Sequence, residues 1–413
     1  MTPLVINGRR LQREIDELAA ISEAPAPVVT RVLFSTADLR ARKFVKGICA
    51  SLGLKIRADA VGNLFARWDG LDNKLAAIAT GSHIDAIPNA GRYDGVVGVL
   101  GALEAIRALQ SSGFKPRRAI ELIVFTAEEP TRFGIGCLGS RLLAGSLSLD
   151  KARGLRDTDG KSLEHWRKHG GCGGRLNSVR LARNCYAGFV ELHIEQGPLL
   201  EKENIPVGVV EKIAAPSTMH VELEGVGGHA GAMLMPERHD AALAGAEIAL
   251  AVERVARTSG SRDTVGTTGV FRIEPGAVNS VPCRAWLEID LRDTRQKTRD
   301  AALRRIRQMA IQICRRRGVK LKLSVLNADA PAICDAGLVI VVADVCRELR
   351  LPVKRVISRA YHDSLFMAQV CPTTMIFIPC RGGVSHRPDE YSSPQQIKKG
   401  VTVLAHTLER LAA

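Results

Sequence analysis

The chain has ten cysteines but no Cys-x-x-Cys pair, few aromatic residues (4%), and no apolar run longer than a strand. Each scarcity excludes something. Cysteines scattered among apolar neighbours (49, 137, 172, 185, 283, 314, 334, 346, 371 and 380) read as small core residues in a reduced compartment, against a disulfide framework. Apolar stretches such as Ala119 to Phe125 and Met375 to Pro379 are strand-sized, well below the roughly 20 residues of a membrane helix. The first segment, MTPLVINGRRLQREIDELAAIS, carries charge where a signal peptide needs its apolar run and spaces Leu11, Ile15 and Leu18 as a helix does. A cytoplasmic protein with no membrane partner is expected.

Acidic residues are the minority, 43 against 58 Lys and Arg, for a net charge of +15. Such a balance invites a nucleic-acid reading. The basic residues are spread along the chain, however, with no aromatic platform among them. The densest run, RDAALRRIRQMAIQICRRRGVK (299 to 320), sets Leu303, Ile306, Met309, Ala310, Ile313 and Cys314 on one helical face with arginines around it, which is the pattern of a solvated helix. No nucleic-acid partner is expected, and the charge is left to steer small anionic substrates.

What is present is α/β patterning. KLAAIATGSH (74 to 83) reads as a buried strand, residues 95 to 109 as a helix, and AIELIVFTAEE (119 to 129) as a second buried strand ending in two glutamates. From Ala214 the texture changes to a β-α-β-β-α-β order, with helices over 240 to 258 and 297 to 318, the signature of a ferredoxin-like sandwich. The expected fold is α/β with two domains: a discontinuous catalytic domain (1 to 213 and 329 to 413) and an inserted ferredoxin-like lid or dimerisation domain (214 to 328). The glycine-rich stretch 146 to 183 reads as a surface excursion with a short helix, and its His165 and His169 as an incidental pair.

Five residues of metal-ligand type recur at motif positions: His83 and Asp94 in GSHIDAIPNAGRYDG, Glu129 in FTAEEPTRFG, His193 in ELHIEQGP and His386 in GGVSHRPDEYSS. Imidazoles and carboxylates in these numbers suit two borderline divalent ions sharing one carboxylate and activating water. Asp85, two residues after His83, is placed to orient that imidazole from behind. Glu128 and Glu129 point in different directions if extended, so one can ligate while the other serves as general base and acid.

The segments GSHIDAIPNAGRYDGVVGVL, FTAEEPTRFGIGCLGSR, ELHIEQGPLLE, GGHAGAMLMPERHDA, PGAVNSVPCRAWLEIDLRD and SRAYHDSLFMA resemble, in order and over nearly the whole chain, the peptidase M20 amidohydrolases that act on allantoate, N-carbamoyl-L-amino acids and β-ureidopropionate. EEPTRFGI, IAAPSTMHVELEGVGGHAGAMLMP and ISRAYHDSLFMA resemble most the members acting on ureidoglycolate. The resemblance implies that His83 and His193 hold one ion, Glu129 and His386 the other, and that Asp94 bridges them. It makes Glu128 the base and proton shuttle, with His229 assisting. It assigns substrate contacts to Gln196, His229, Asn279, Arg292, Tyr361 and His362, with His229, Asn279 and Arg292 either reaching the active site of the partner subunit, in a homodimer formed through the insert, or closing over their own when the domains move. It implies Mn²⁺, although the donors would also accept Zn²⁺, Co²⁺ or Ni²⁺.

A cation that grips a short carboxylate substrate is better supplied by Arg than by Lys, which suits Arg292. A developing oxyanion needs donors besides the metals, which suits His229. One segment departs from the carbamoylase pattern. Where those enzymes carry Gly-Ala-Gly before His-Asp, this chain has Arg359, Ala360 and Tyr361, so a tyrosine occupies the space a bulky substrate side chain would need. The expected reaction is hydrolysis of the ureido C–N bond of (S)-ureidoglycolate. Allantoate or an N-carbamoyl-L-amino acid is the alternative substrate, and an inactive binding protein of the same fold the non-enzymatic alternative.

Overall fold

The computed structural model describes residues 4–413, which divide into two compact units. The first comprises the chain up to Glu211 together with Ile333–Val356 and His362–Ala413; the second comprises Lys212–Ala332 and the short stretch Ile357–Tyr361.

The first unit is built on a mixed sheet that runs, side by side, Val207–Ile213, Thr373–Ile378, Tyr186–Ile194, Ala77–His83, Ile120–Phe125, Leu64–Trp68 and Lys55–Ala58. The four central strands, from Thr373–Ile378 to Ile120–Phe125, are parallel. They are buried along almost their whole length, as continuous apolar sequences covered on both faces must be. Helix Val96–Ser111 is buried from Val96 to Leu109 and lies on the sheet beside Pro394–Ala412, whose Ser393 and Gln396 form a reciprocal capping box. All four parallel strands end at the same edge, and the segments leaving them carry the polar residues described below.

The second unit is a four-stranded antiparallel sheet in the order Val265–Glu274, Arg284–Asp293, Ala215–Glu224, Lys320–Ala328. Helices Ala241–Arg257 and Gln296–Arg317 cover one face, burying Met219, Val221, Leu287, Ile289 and Leu291 against Ile248, Val252, Ile306 and Ile313. This is the ferredoxin-like arrangement. Leu303 and Met309 pack at its margin, while Arg299, counted among the solvated arginines by sequence, is fully buried and donates to the carbonyl of Ala215.

Two further expectations are corrected. The strand leading to the paired glutamates ends at Phe125, not at Glu129: the Thr126 amide turns to the side chain of Asn63, and Ala127 takes a left-handed conformation (φ 51°), so both glutamates stand on a loop. The stretch 146 to 183 is also more than a surface excursion. It holds helices Leu149–Gly154 and Leu163–His169, and Leu147, Ala152, Leu163, Leu176 and Val179 join the core of the first unit.

Arg31, 1% exposed, donates to the carbonyls of Ile21 (3.0 and 2.9 Å), Leu18 (2.5 Å) and Ile84 (2.7 Å). It therefore ties the end of the first helix, where a cation is favoured, to the residue that follows His83. Arg31→Met removes these bonds and leaves the Ile21 and Ile84 carbonyls without their donor, while Leu18 keeps the Ile21 amide. Metal-free protein carrying it is expected to lose about 3 kcal/mol of stability, read as a lowered thermal or denaturant midpoint.

Candidate active site

His83 closes the strand Ala77–His83, and its Nδ1 meets the Asp85 carbonyl at 3.1 Å. His193 is the penultimate residue of Tyr186–Ile194, with Nδ1 2.9 Å from the Ile194 carbonyl. In each ring the backbone acceptor favours a proton on Nδ1 and turns Nε2 inward, the orientation a metal ligand needs, with the Gly95 amide also directed at His193 Nε2 (3.2 Å). Both Nε2 atoms face the same oxygen of Asp94, Oδ1, at 3.6 Å for His83 and 3.1 Å for His193. The other oxygen, Oδ2, lies 3.2 Å from His386 Nε2, and that atom is also 3.2 Å from Glu129 Oε1. Asp94 thus stands between two donor groups, His83–Asp94–His193 and Asp94–Glu129–His386, each with its ligand atoms within 4.8 Å of one another. Gly95 makes the approach possible: it has φ +65°, and a Cβ there would lie 2.5 Å from the His83 ring.

The residues around Asp94 orient it further. Gln196 Nε2 donates to Oδ2 at 2.8 Å and to Ser385 Oγ at 3.1 Å, while the Ser385 hydroxyl lies 3.0 Å from Oδ2. Asp85, whose carboxylate is 3.6 Å from His83 Nδ1, receives the amides of Glu128 (3.3 Å) and Glu129 (3.0 Å) and so sets the loop that presents both glutamates. Glu128 is buried, with Oε2 3.9 Å from His83 Nε2 and Oε1 3.6 Å from Cys137 Sγ. His362 packs its ring 4.4 Å from that of His193 and is 2% exposed.

Sequence reasoning missed three buried carboxylates here. Glu191 accepts from Ser82 Oγ (2.7 Å) and Ser364 Oγ (2.5 Å), Asp363 accepts from Ser140 Oγ (2.5 Å), and Glu390 lies under the Asp94 loop. Glu191 and His193 alternate on one strand, a signal available in ELHIEQGP; Asp363 and Glu390 carry none.

Asp85, Asp94, Glu128, Glu129, Glu191, Asp363 and Glu390 are therefore seven buried carboxylates faced by the imidazoles of His83, His193, His362 and His386. Without cations the cluster holds protons. Burial, with Glu129, Asp363 and Asp94 adding to it against His83, pushes Glu128 well above the usual carboxylate range. Burial and then the Asp94 charge push Glu390 up to about 7. Hydrogen bonds to Asp94 and Glu129 raise His386 to about 11. His83 is also raised: burial pulls it down, but Glu128, Asp85 and Asp94 outweigh that. Asp94 goes the other way, because contacts with His193, His386 and His83 overcome its burial and hold it well below the usual range. A borderline divalent cation in each donor group would replace those protons with the charge the carboxylates lack, so the residues fit such ions.

The remaining candidates, His229, Asn279, Arg292 and Tyr361, belong to the second unit and fall in two groups there. His229 pairs with Ser280 in a two-residue ladder, and the Ala230 amide donates to the Asn279 carbonyl (2.8 Å), so His229 and Asn279 are neighbours. Arg292 is bound by Asp290 through Nε (2.7 Å) and Nη2 (3.2 Å), donates to the Arg359 carbonyl (3.3 Å), and lies 6.0 Å from the Tyr361 ring centre. The ladder adjoins the Arg284 end of strand Arg284–Asp293 and Arg292 is near its other end, roughly 27 Å away at strand rise. His165 and His169 flank Trp166 edge-on and join no metal-type group among the described residues.

The profile of peptidase family M20/M25/M40 matches residues 79–410. The chain belongs to this family. Among M20 relatives it is 53% identical to a ureidoglycolate hydrolase of Oryza sativa subsp. japonica, over 100% of this chain and 86% of that protein. It is 36% identical to an N-carbamoyl-L-amino acid amidohydrolase of Geobacillus stearothermophilus, over 99% of both. The crystal structure of AtUAH in complex with glyoxylate superposes with a TM-score of 0.92 at 52% identity, covering 99% of this chain and 98% of that one. A companion structure of the same enzyme, with (S)-hydroxyglycine, has the same TM-score.

Chelation is expected to lower the thermal transition of this M20 chain and added Mn²⁺ to restore it, by about 2.7 kcal/mol when free metal is one hundred times its Kd. Asp94→Asn protein should lose most of that difference, since both donor groups share Asp94. A transition indifferent to chelator would show that the cluster takes no cation.

Proposed function

We propose that this chain is a ureidoglycolate amidohydrolase: with two divalent ions, Mn²⁺ first among them, it hydrolyses the ureido C–N bond of (S)-ureidoglycolate. Water and the ureide give ammonia, carbon dioxide and (S)-hydroxyglycine, which loses a second ammonia to become glyoxylate. The observation that carries the reaction class is Asp94, whose two oxygens each face a different imidazole-containing donor group with Glu128 alongside. The substrate is supported by full-length similarity to ureidoglycolate hydrolases and by the two molecules held in the AtUAH crystals.

His83 and His193 would hold one ion, Glu129 and His386 the other, and Asp94 both; the ions supply Lewis acidity and lower the pKa of water. Glu128 takes the proton of the attacking water and returns it to the departing nitrogen, a task suited to a carboxylate whose proton affinity is raised by its surroundings. Arg292, bound by Asp290 through Nε and Nη2 and by the Arg359 carbonyl through Nη1, would meet the substrate carboxylate with its remaining Nη hydrogens. Tyr361 fills the space beside it and selects a small hydroxylated substrate, and His229 and Asn279 polarise the ureido oxygen.

We also infer a cytoplasmic homodimer formed through the second unit, acting as lid and dimerisation domain. Two observations support the dimer. Strand Val265–Glu274 is at a sheet edge with Phe271 (42%) and Ile273 (44%) exposed, and the adjoining helix Ala241–Arg257 exposes Leu243 and Leu250. The two substrate-binding groups also lie at opposite ends of one sheet, which suits a division of labour between subunits. All ten cysteines are free, as a reducing cytoplasm allows, and no described helix is long and apolar enough to cross a membrane.

Assayed with Mn²⁺ against ureidoglycolate, allantoate and N-carbamoyl amino acids, the enzyme should prefer ureidoglycolate; preference for a carbamoyl amino acid with a large side chain would sink the substrate reading. Glu128→Gln should keep its fold and metal while losing at least a thousandfold in kcat. Mixing inactive Arg292→Ala and Glu128→Gln subunits tests sharing: recovered activity means that Arg292 serves the partner, and none means that it serves its own subunit.

A further inference from the structure

The geometry points to Glu390 as a positioning residue that presets Asp94 between the two donor groups, an inference that rests on the two-ion reading above. Glu390 is 4% exposed. Its Oε1 accepts the backbone amides of both Tyr93 (2.8 Å) and Asp94 (3.0 Å), residues nearly 300 positions away in sequence. Its Oε2 lies 2.9 Å from the Ser385 hydroxyl, which is 3.0 Å from Asp94 Oδ2. One carboxylate therefore grips the ligand that joins the two groups at its main chain and, through one hydroxyl, at its side chain. Amide bonds to a carboxylate are charge-assisted and directional, so they fix where the Asp94 backbone starts and hence where its oxygens fall.

The loop is shaped around this contact. A Cβ at Gly91 would lie 2.4 Å from the Glu390 Cβ and 2.7 Å from its Oε1, so the chain closes over Glu390 only because position 91 has no side chain. Glu390 also sits four residues after His386, whose Nε2 is 3.2 Å from Asp94. The same contact thus joins the loop supplying His386 to the loop supplying Asp94, setting the spacing of two ligands from opposite ends of the chain. Each of these bonds is made between protein groups alone.

A residue that only tied two loops together would contribute stability and nothing else, so the test reads the metal directly. Stripped protein is titrated with Co²⁺, recording its visible absorption and its affinity against a chelating dye. Wild-type protein that took up no Co²⁺ would overturn the two-ion reading itself. Given uptake, Glu390→Ala is expected to bind Co²⁺ about 10- to 100-fold more weakly, with altered absorption bands. Glu390→Gln, which retains an acceptor for the two amides, should recover most of the affinity. Glu121→Gln is the control, a buried carboxylate that accepts from the Tyr186 hydroxyl at 2.5 Å in the same sheet; it should lower the melting temperature and leave affinity and spectrum unchanged. If Glu390→Ala does not fold, Ser385→Ala removes the hydroxyl that links Glu390 to Asp94, together with its bond from Gln196, and is expected to weaken binding about tenfold, the lower end of such effects. Wild-type affinity and spectrum in Glu390→Ala, or in Ser385→Ala where the former does not fold, would overturn the proposal.

Discussion

The first unit is organised around an electrostatic problem: seven carboxylates are buried at one edge of its sheet. Two like charges 4 Å apart repel by about 4 kcal/mol even at an effective dielectric constant of 20, so the set cannot stand fully ionised on its own. Protons or cations must accompany it, and the upward shifts of Glu128, Glu390 and His386 show how strongly the site favours protons when no cation is bound. What distinguishes a cation site from a proton store is the arrangement of lone pairs. Here two histidines spend Nδ1 on backbone carbonyls and turn Nε2 to one aspartate oxygen, while a third imidazole and Glu129 meet at the other. That order gives each donor group imidazole and carboxylate atoms converging on one point, as a divalent cation requires.

The fold supports this at modest cost because the demanding contacts are made by main chain. Parallel strands ending at a common edge deliver His83 and His193 directly and the other candidate ligands by loops. Those loops are held by side chains bonded to backbone groups: Asp85 to the amides of Glu128 and Glu129, Arg31 to the carbonyl after His83, and Glu390 to the amide of Asp94. Each support sits one bond away from a ligand and is itself buried, so its geometry is fixed by packing and not by solvent.

Much of this was legible in the sequence, and the illegible part has a common cause. His83, Glu129 and His193 stand out because long apolar strands run into them, and the ferredoxin-like insert because its periodicities change in order along the chain. Asp94 and His386 are loop residues that only family motifs single out. Glu390 and Asp363 look like ordinary polar loop positions, since what makes them special is a partner 297 residues away for Glu390 and 223 for Asp363. The same holds for Arg31 and Arg299, charged residues whose burial depends on carbonyls presented by distant turns. Phe125 ends its strand early because Asn63 captures the next amide, a competition no local pattern announces.

Selection among ureides rests on different physics from the hydrolysis. Ile357–Tyr361 leaves the strand that carries it to join the second unit, where Tyr361 lies beside Arg292. The cation that would grip a substrate carboxylate and the ring that would limit what is attached to it are thus held by one compact body, through the Asp290 fork and the Arg359 carbonyl. Asp290 costs the arginine part of its positive field but fixes the plane of its guanidinium, so a substrate carboxylate gripped there would be held in one orientation. In the reading proposed above, such a clamp beside a bulky ring would discriminate by length and volume, admitting a substrate whose α-carbon bears only hydrogen and hydroxyl and turning away one with a large apolar group. The metal donors, on the other unit, are indifferent to that choice.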